Sequence, residues 1–205
     1  MQFNVNKCKT MHIGKKNLDL DYRMNGVVLD VVEVEKDLGV MISHDLKSSN
    51  QCLKAYASAN KILGMINRTI ENKNSNIMLN LYKSLVRPHM EYCTAVWSPY
   101  YVKDKELIEK IQHRFTKMII EVKHLSYADR LKKLGLWSLE ERRNRSDLIE
   151  VYKMLHGSTS ISYNNFFEIA SDKRTRGHSM TLVKHRFETK IRQQFFFERV
   201  INRWN

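Results

Sequence analysis

The chain has 205 residues, of which 42% are hydrophobic and 10% aromatic, so it can bury a core and is neither disordered nor fibrous. Lysine and arginine number 35 against 22 acidic residues, and the net charge of +13 predicts a polyanionic partner, above all nucleic acid. We expect no membrane partner, because no stretch approaches the ~18 apolar residues of a spanning helix. The first residues resemble no signal peptide, and the three cysteines have no paired spacing, which predicts an intracellular protein of the nucleus or cytoplasm.

Residues 1–45 are predicted to form a small antiparallel sheet. Asn25-Gly26 is the strongest hairpin signal, because both residues tolerate the positive φ angles of a type I′ turn. Predicted strands flank it, since apolar residues alternate before it and a β-branched run follows. The strand after the turn is assigned to 27–34, and two more strands are assigned to 3–13 and 38–42.

From about Leu46 the apolar residues recur at helical spacing, and the scarcity of glycine and proline favours long helices. Pro88 should end or bend the second of these helices. Ser126 and Ser138 each precede an acidic residue by three positions, which predicts helix starts, with ends near Gly135 and Gly157. The apolar positions of the first three helices are Leu53, Tyr56, Ala59, Leu63, Ile66 and Ile70, then Ile77, Met78, Leu81, Tyr82, Leu85 and Val86, then Leu107, Ile108, Ile111, Phe115, Met118 and Ile119.

These patterns predict an α+β fold that is predominantly α-helical, with a small amino-terminal hairpin or sheet in 1–45 and a multi-helix bundle in 46–205. The basic excess is uneven along the chain. Residues 151–205 carry ten basic and four acidic side chains, which makes them the strongest candidates for contact with phosphates. The predicted nucleic-acid-binding residues are Arg174, Arg176, Lys184, Arg186, Lys190 and Arg192. For Arg174 and Arg176 a solvated run of charge is the alternative interpretation.

Signatures of a self-contained enzyme are missing. The eight histidines lack metal-ligand spacing, and the sequence contains no phosphate-cradling glycine loop and no nucleophile elbow. The paired carboxylates Asp19 with Asp21 and Glu140 with Glu141 are interpreted as solvated charges. We therefore predict no metal, no cofactor and no small-molecule substrate for this chain. Trp97 could stack on a base, but so large an apolar ring is expected in the core.

Seven segments, in order and at matching spacing, resemble the reverse transcriptases of non-LTR retrotransposons of the jockey-like and related clades. No single segment is specific, but the set spans almost the whole chain. The segments are FNVNKCKTM (3–11), EKDLGV (35–40), YKSLVRPHMEY (82–92), WSP (97–99), RLKKLGL (130–136), RTRGH (174–178) and FFFERVINRWN (195–205).

This resemblance implies a layout and a role for one residue. Residues 1–45 would be the end of the polymerase palm, with 38–40 in the primer-grip region, and 46–205 would be the helical thumb and its extension. Lys7 matches the family's late palm lysine, which is thought to help protonate the pyrophosphate leaving group. The alternative interpretation is a surface lysine beside a strand, without a catalytic role. The implied partner is an RNA or DNA template–primer duplex.

The chain also departs from the family. Polymerase chemistry requires magnesium ions held by palm aspartates, and no two aspartates are adjacent in this sequence. We therefore expect a fragment of an RNA-directed DNA polymerase that is inactive alone and retains binding to nucleic acid, with Mg²⁺ needed only by the full-length polymerase. The alternatives are a free-standing basic nucleic-acid-binding or interaction module, and a non-functional remnant.

Overall fold

The computed structural model describes residues 3–14, 17–171 and 178–205. Short β-ladders lie before residue 44, and helices dominate from Ser49 onward. The predicted α+β class, with mostly helical content, is confirmed.

Within the described residues, the strands form three separate two-stranded ladders. The pairs are β1 (Lys9–Thr10) with β4 (Asp30–Val31), β2 (Arg23–Met24) with β3 (Val27–Val28), and β5 (Val34–Asp37) with β6 (Val40–Ser43). The second and third pairs are antiparallel, as the sequence predicted, whereas the first is parallel. The predicted strand over 3–13 shrinks to β1, because a 3₁₀ turn spans Val5–Lys7 and the Asn4 side chain caps it.

Two tight turns connect the antiparallel pairs. Asn25 and Gly26 have φ angles of 52° and 81°, which confirms the predicted type I′ turn. Leu38 and Gly39 form a second turn of the same kind, with φ angles of 44° and 92°. The sequence pattern assigned these two residues to a strand, because leucine rarely adopts a positive φ angle.

Contacts from the helical part hold the second turn in place. The Tyr92 hydroxyl donates to the Leu38 carbonyl oxygen at 3.0 Å, and Lys54 Nζ donates to the Gly39 carbonyl oxygen at 2.7 Å. A Cβ atom at Gly39 would lie 3.2 Å from Tyr92 Cε1. The close approach of the tyrosine ring therefore favours glycine at this position in addition to the backbone angle.

The helices follow in chain order. Their bounds are α1 Ser49–Thr69, α2 Ser75–Leu81, α3 Pro88–Glu91, α4 Thr94–Trp97, α5 Val102–Met118, α6 Tyr127–Leu134, α7 Leu139–Leu155, α8 Lys190–Gln193, α9 Phe196–Arg199 and α10 Ile201–Trp204. A π-helical segment, Tyr82–Val86, joins α2 to α3, and the Arg87 N–H donates to the Tyr82 carbonyl oxygen. This wide turn precedes Pro88, so the regular α-helix ends at Leu81 and a new one begins at Pro88. None of the helices in the described ranges is both long enough and apolar enough to cross a membrane.

The first hydrophobic core gathers α1, α2, the π-helical segment, α5 and α6. On α1 the predicted apolar face is confirmed at Ala59, Leu63 and Ile66, which are buried. The first two turns differ, because Cys52 and Ala55 are inside there and Leu53 is 55% exposed. Tyr82 stacks on Phe115 with ring centroids 4.1 Å apart, and its hydroxyl donates to Gln112 Oε1 at 2.7 Å. The buried Gln112 thereby satisfies the only polar atom that the Tyr82 side chain brings into the core.

Both predicted capping serines act as N-caps. The Asp129 N–H donates to Ser126 Oγ at 3.3 Å, and the Glu141 N–H donates to Ser138 Oγ at 3.2 Å. Gly135 ends α6 in the left-handed conformation, as predicted. The start of α7 is thus set locally, and α7 positions the site described next.

A second core lies between α7 and the last part of the chain. It contains Val151 and Leu155 of α7, together with Phe167, Leu182, Phe196, Val200 and Ile201. Trp97 is 3% exposed and its Nε1–H donates to the Tyr92 carbonyl oxygen at 2.7 Å, so the predicted core role is correct. Val40, on the amino-terminal side of residue 45, packs in the first core with α1.

Candidate functional site

A polar cavity of about 630 Å³ opens between the loop at 98–100, α7 and the carboxyl-terminal segment 184–203. Basic side chains dominate its walls: six of them line it against two carboxylates. The basic residues are Lys105, Arg143, Lys184, Arg186, Arg199 and Arg203, and the acidic residues are Glu140 and Glu198. The excess of positive charge makes this cavity the candidate site.

One face of α7 forms the floor of the site. Glu140, Arg143 and Asp147 follow at spacings of three and four residues, which places them along one side of the helix. Glu140 accepts a 2.6 Å hydrogen bond from Lys105 Nζ on α5. Proximity to this ammonium lowers the pKa of Glu140 below its ordinary value of 4.5.

Asp147, at the other end of this face, forms an ion pair with Arg199 of α9. Arg199 Nε and Nη2 donate to the two carboxylate oxygens, each at 2.9 Å. Burial raises the pKa of Asp147, and the two charge-assisted hydrogen bonds from Arg199 oppose that shift. Arg199 Nη2 also donates to the Ala95 carbonyl oxygen at 2.9 Å. Arg199 therefore ties α9 to α7 and α4, and its charge is neutralised.

Arg143 lies on α7 between these two ion pairs and forms no ion pair of its own within the described residues. It is 3% exposed, and in the part of the chain that the structure describes its Nη1 has no hydrogen-bond partner. Burial lowers the pKa of Arg143 below its ordinary value, although a guanidinium stays protonated at neutral pH. A buried cationic donor without a partner destabilises a fold unless a ligand or water satisfies it.

Unsatisfied polar atoms concentrate in this cavity. Within the described residues, four buried side-chain N or O atoms lack a hydrogen-bond partner, and three of them belong to lining residues: Tyr100 Oη, Arg143 Nη1 and Glu198 Oε2. Such atoms are rare in folded proteins and ask for an explanation where they occur. Each of these three atoms is almost completely covered by protein, so a ligand in the cavity can hydrogen-bond to it only when the side chain turns toward the cavity.

The structure brings together two of the six residues predicted to bind nucleic acid. Lys184 and Arg186 both line the cavity, where Lys184 Nζ donates to Asn202 Oδ1 at 2.8 Å. Arg174 and Arg176 lie outside the described residues.

The remaining two predicted residues, Lys190 and Arg192, belong to α8 and are not part of the cavity wall. The Arg192 guanidinium lies over the Phe187 and Phe195 rings, 5.2 Å and 5.5 Å from their centroids. This packing occupies one face of the guanidinium and gives Arg192 a structural contact. Lys7 is exposed in the 3₁₀ turn Val5–Lys7 and does not line the cavity.

Sequence reasoning missed Lys105, Arg143, Arg199 and Arg203. Arg143 and its neighbours on α7 were not selected because the excess of basic over acidic residues is smaller in 101–150, twelve against nine, than in 151–205. The available signal was the helical spacing of Glu140, Arg143 and Asp147, which places one basic residue between two acidic ones on a single face.

Among the described residues, no group of three or more histidine, cysteine, aspartate or glutamate side chains is arranged to hold a metal ion. Comparison with known proteins found no matching family model, no matching curated protein and no matching solved structure.

Proposed function

We propose that this chain binds nucleic-acid duplexes through their sugar–phosphate backbone, as the thumb portion of a reverse transcriptase of the non-LTR type. The observation that carries the proposal is the convergence of three exposed basic side chains from the most basic part of the chain, Lys184, Arg186 and Arg203, around one open cavity. The sequence resemblance adds the expected duplex, an RNA–DNA hybrid or a DNA duplex at a primer end.

The charges available to a duplex are those not already neutralised inside the protein. Lys105 and Arg199 are paired with Glu140 and Asp147. Lys184, Arg186 and Arg203 are exposed at the mouth of the cavity. Long cationic side chains at a surface can reach successive phosphates without reading bases, so binding should tolerate any sequence.

The test is fluorescence anisotropy on an RNA–DNA hybrid and on duplex DNA over a series of salt concentrations. The variant Lys184→Gln/Arg186→Gln/Arg203→Gln removes three mobile charges. Each phosphate contact contributes about 0.9 to the log–log salt slope on B-form DNA, so the slope should fall by about two to three units.

A matched control removes three exposed charges from the amino-terminal part of the chain: Lys7→Gln/Arg23→Gln/Lys36→Gln. This control should leave the salt slope almost unchanged. Absence of binding below ~100 µM at low salt, which is weaker than ordinary non-specific association, would overturn the proposal. Equal losses in the two triple variants would show that net charge matters and this face does not.

The same proposal gives the chain no polymerase activity by itself, because the adjacent aspartates of the family's magnesium site are missing from its sequence. Purified protein should incorporate no deoxynucleotide on a primed RNA or DNA template with magnesium. Incorporation that survives repurification would contradict this assignment.

A further inference from the structure

We propose that the cavity beside α7 binds a phosphate monoester on a sugar with free hydroxyl groups, that is, a mononucleotide or the phosphorylated end of a strand. This inference goes beyond duplex binding and does not depend on it. A duplex backbone would lie on the exposed rim, whereas the monoester enters the cavity and the Arg143 side chain turns to meet it.

The position of Arg143 points to an anion. Its two neighbours on the α7 face pair with other cations, Glu140 with Lys105 and Asp147 with Arg199, and Arg143 forms no ion pair within the described residues. Its Nη1 is buried without a partner in the described part of the chain. An oxyanion in the cavity would satisfy this donor and neutralise the buried charge.

The charge of the cavity indicates a dianion rather than a monoanion. Lys105 and Arg199 are neutralised by their carboxylate partners. The remaining charged residues that line the cavity are four cations and one carboxylate: Arg143, Lys184, Arg186, Arg203 and Glu198. A phosphate monoester carries about −1.5 to −2 at pH 7, since its second pKa is near 6. An internal phosphodiester carries a single charge and would leave more of the positive excess uncompensated.

Glu198 indicates that the ligand also donates hydrogen bonds. Its Oε2 is buried with no partner in the described residues, and a carboxylate can only accept. A bare phosphate would place oxyanion beside this carboxylate, whereas a sugar hydroxyl would donate to it. Tyr100 Oη, which also lacks a partner there, can serve either role.

The size and the remaining wall of the cavity fit a nucleotide. A volume of about 630 Å³ lies inside the range of small-molecule sites. The rings of His185 and Phe187 also line the cavity. Aromatic rings provide stacking surfaces for any base.

The experiment is isothermal titration calorimetry of the full chain with adenosine 5′-monophosphate, ribose 5-phosphate, inorganic phosphate and adenosine. We expect the two sugar monophosphates to bind at least tenfold more tightly than inorganic phosphate, and adenosine not to bind. No heat from adenosine 5′-monophosphate up to ~5 mM, or binding of adenosine as tight as that of the monophosphate, would overturn the inference.

Two variants locate the ligand. Arg143→Met should lower affinity for adenosine 5′-monophosphate at least tenfold and leave the duplex salt slope unchanged, because a buried side chain does not reach the duplex. An unchanged nucleotide affinity would place the ligand elsewhere. Glu198→Gln removes the negative charge that repels inorganic phosphate and replaces one acceptor oxygen with an amide donor, so the preference for the monophosphate over inorganic phosphate should shrink. A preserved preference in Glu198→Gln would contradict the inference even if Arg143→Met does not fold.

A third arm separates the two sources of the monoester. A single RNA strand with a 5′-phosphate, whose terminal ribose keeps its 2′-hydroxyl group, is compared with the same strand bearing a 5′-hydroxyl group. Tighter binding of the phosphorylated strand, lost in Arg143→Met, identifies a strand end as the ligand. Equal binding of both strands, together with nucleotide binding, identifies a free mononucleotide.

Discussion

Arg199 donates two 2.9 Å hydrogen bonds to the carboxylate of Asp147 across 52 residues of sequence, and this buried pair joins the carboxyl-terminal segment to α7. The two side chains are 10% and 4% exposed. Asp147 is also one of the two carboxylates that flank Arg143 on α7, and its pairing with Arg199 compensates its charge beside the cavity. The fold of the last part of the chain and the chemistry of the cavity therefore depend on the same contact.

Replacement of Arg199 should be strongly destabilising. Arg199→Met leaves the Asp147 carboxylate buried without its partner, and loss of one member of a buried pair costs about 3–5 kcal/mol. Chemical denaturation followed by circular dichroism measures the free energy of unfolding. Lys153→Met, which removes the more exposed partner of Glu150 on the same α7, is the matched control and should cost about 1 kcal/mol or less. Equal losses in the two variants would mean that Asp147 and Arg199 do not form a buried pair in solution.

The turn at Gly39 should be more sensitive to substitution than the turn at Gly26. Gly39→Ala forces a Cβ to within 3.2 Å of the Tyr92 ring in addition to the strain of a φ angle of +92°. Gly26→Ala carries similar strain at φ +81° with no atom within 4 Å. Strain alone costs about 1–2 kcal/mol. Hydrogen exchange at the Val40 amide should accelerate more in Gly39→Ala than at the Val27 amide in Gly26→Ala, and the reverse order would exclude the Tyr92 contact.

His113 should make stability fall in mild acid. Burial lowers the pKa of His113 below its ordinary value of 6.5, so the unfolded chain binds this proton more readily than the folded chain does. The contribution of the uncharged His113 ring to the free energy of unfolding is therefore fully present above about pH 6.5. It is lost as the pH falls through the lowered pKa of His113 in the folded state. His113 stacks on Tyr127 with ring centroids 3.4 Å apart, and His113→Phe keeps an aromatic ring that cannot titrate.

Thermal unfolding between pH 7.5 and pH 5 checks this expectation. The melting temperature should decline less steeply in His113→Phe than in the unaltered chain, whatever the difference between them at pH 7.5. Parallel declines would show that His113 is solvated and titrates alike in both states.

The structure divides the predicted phosphate-binding residues into two groups that should behave differently. Lys184 and Arg186 line the cavity, whereas Arg192 packs its guanidinium against two phenylalanine rings. The pair Lys184→Gln/Arg186→Gln should therefore lower the salt slope of duplex binding by about two units.

The matched pair Lys190→Gln/Arg192→Gln removes the same charge from α8 and should lower the slope by less than one unit. The measurement is the same anisotropy series on duplex DNA. A larger effect from the α8 pair would move the duplex surface from the cavity mouth to α8.

Local signals in the sequence predicted the elements whose cause is local. Asn25-Gly26 forms its turn, Ser126 and Ser138 cap their helices, and Gly135 ends α6, because backbone conformation and capping act within a few residues. Local signals did not predict the turn at Leu38-Gly39. This turn is held from outside by Tyr92 and Lys54, which are distant in sequence.

Periodicity located α1 and its buried face from Ala59 onward, but not in the first two turns. Leu53 belongs to the predicted apolar face, yet the structure buries the smaller Cys52 and Ala55 there. Close packing of α1 against α5 favours small side chains at the contact, and apolar character does not report which neighbour a helix meets.

The sequence by itself determined the α+β class, the hairpin turn, the helix caps and the concentration of positive charge in the last quarter, since composition, propensity and spacing act locally. Only the tertiary structure decided which charges remain available. Lys105 and Arg199 each pair with a carboxylate from a distant segment. Arg143 and Glu198 each keep a buried polar atom without a hydrogen-bond partner among the described residues. Pairing of buried charges depends on distances between elements, and these distances exist only once the helices have packed.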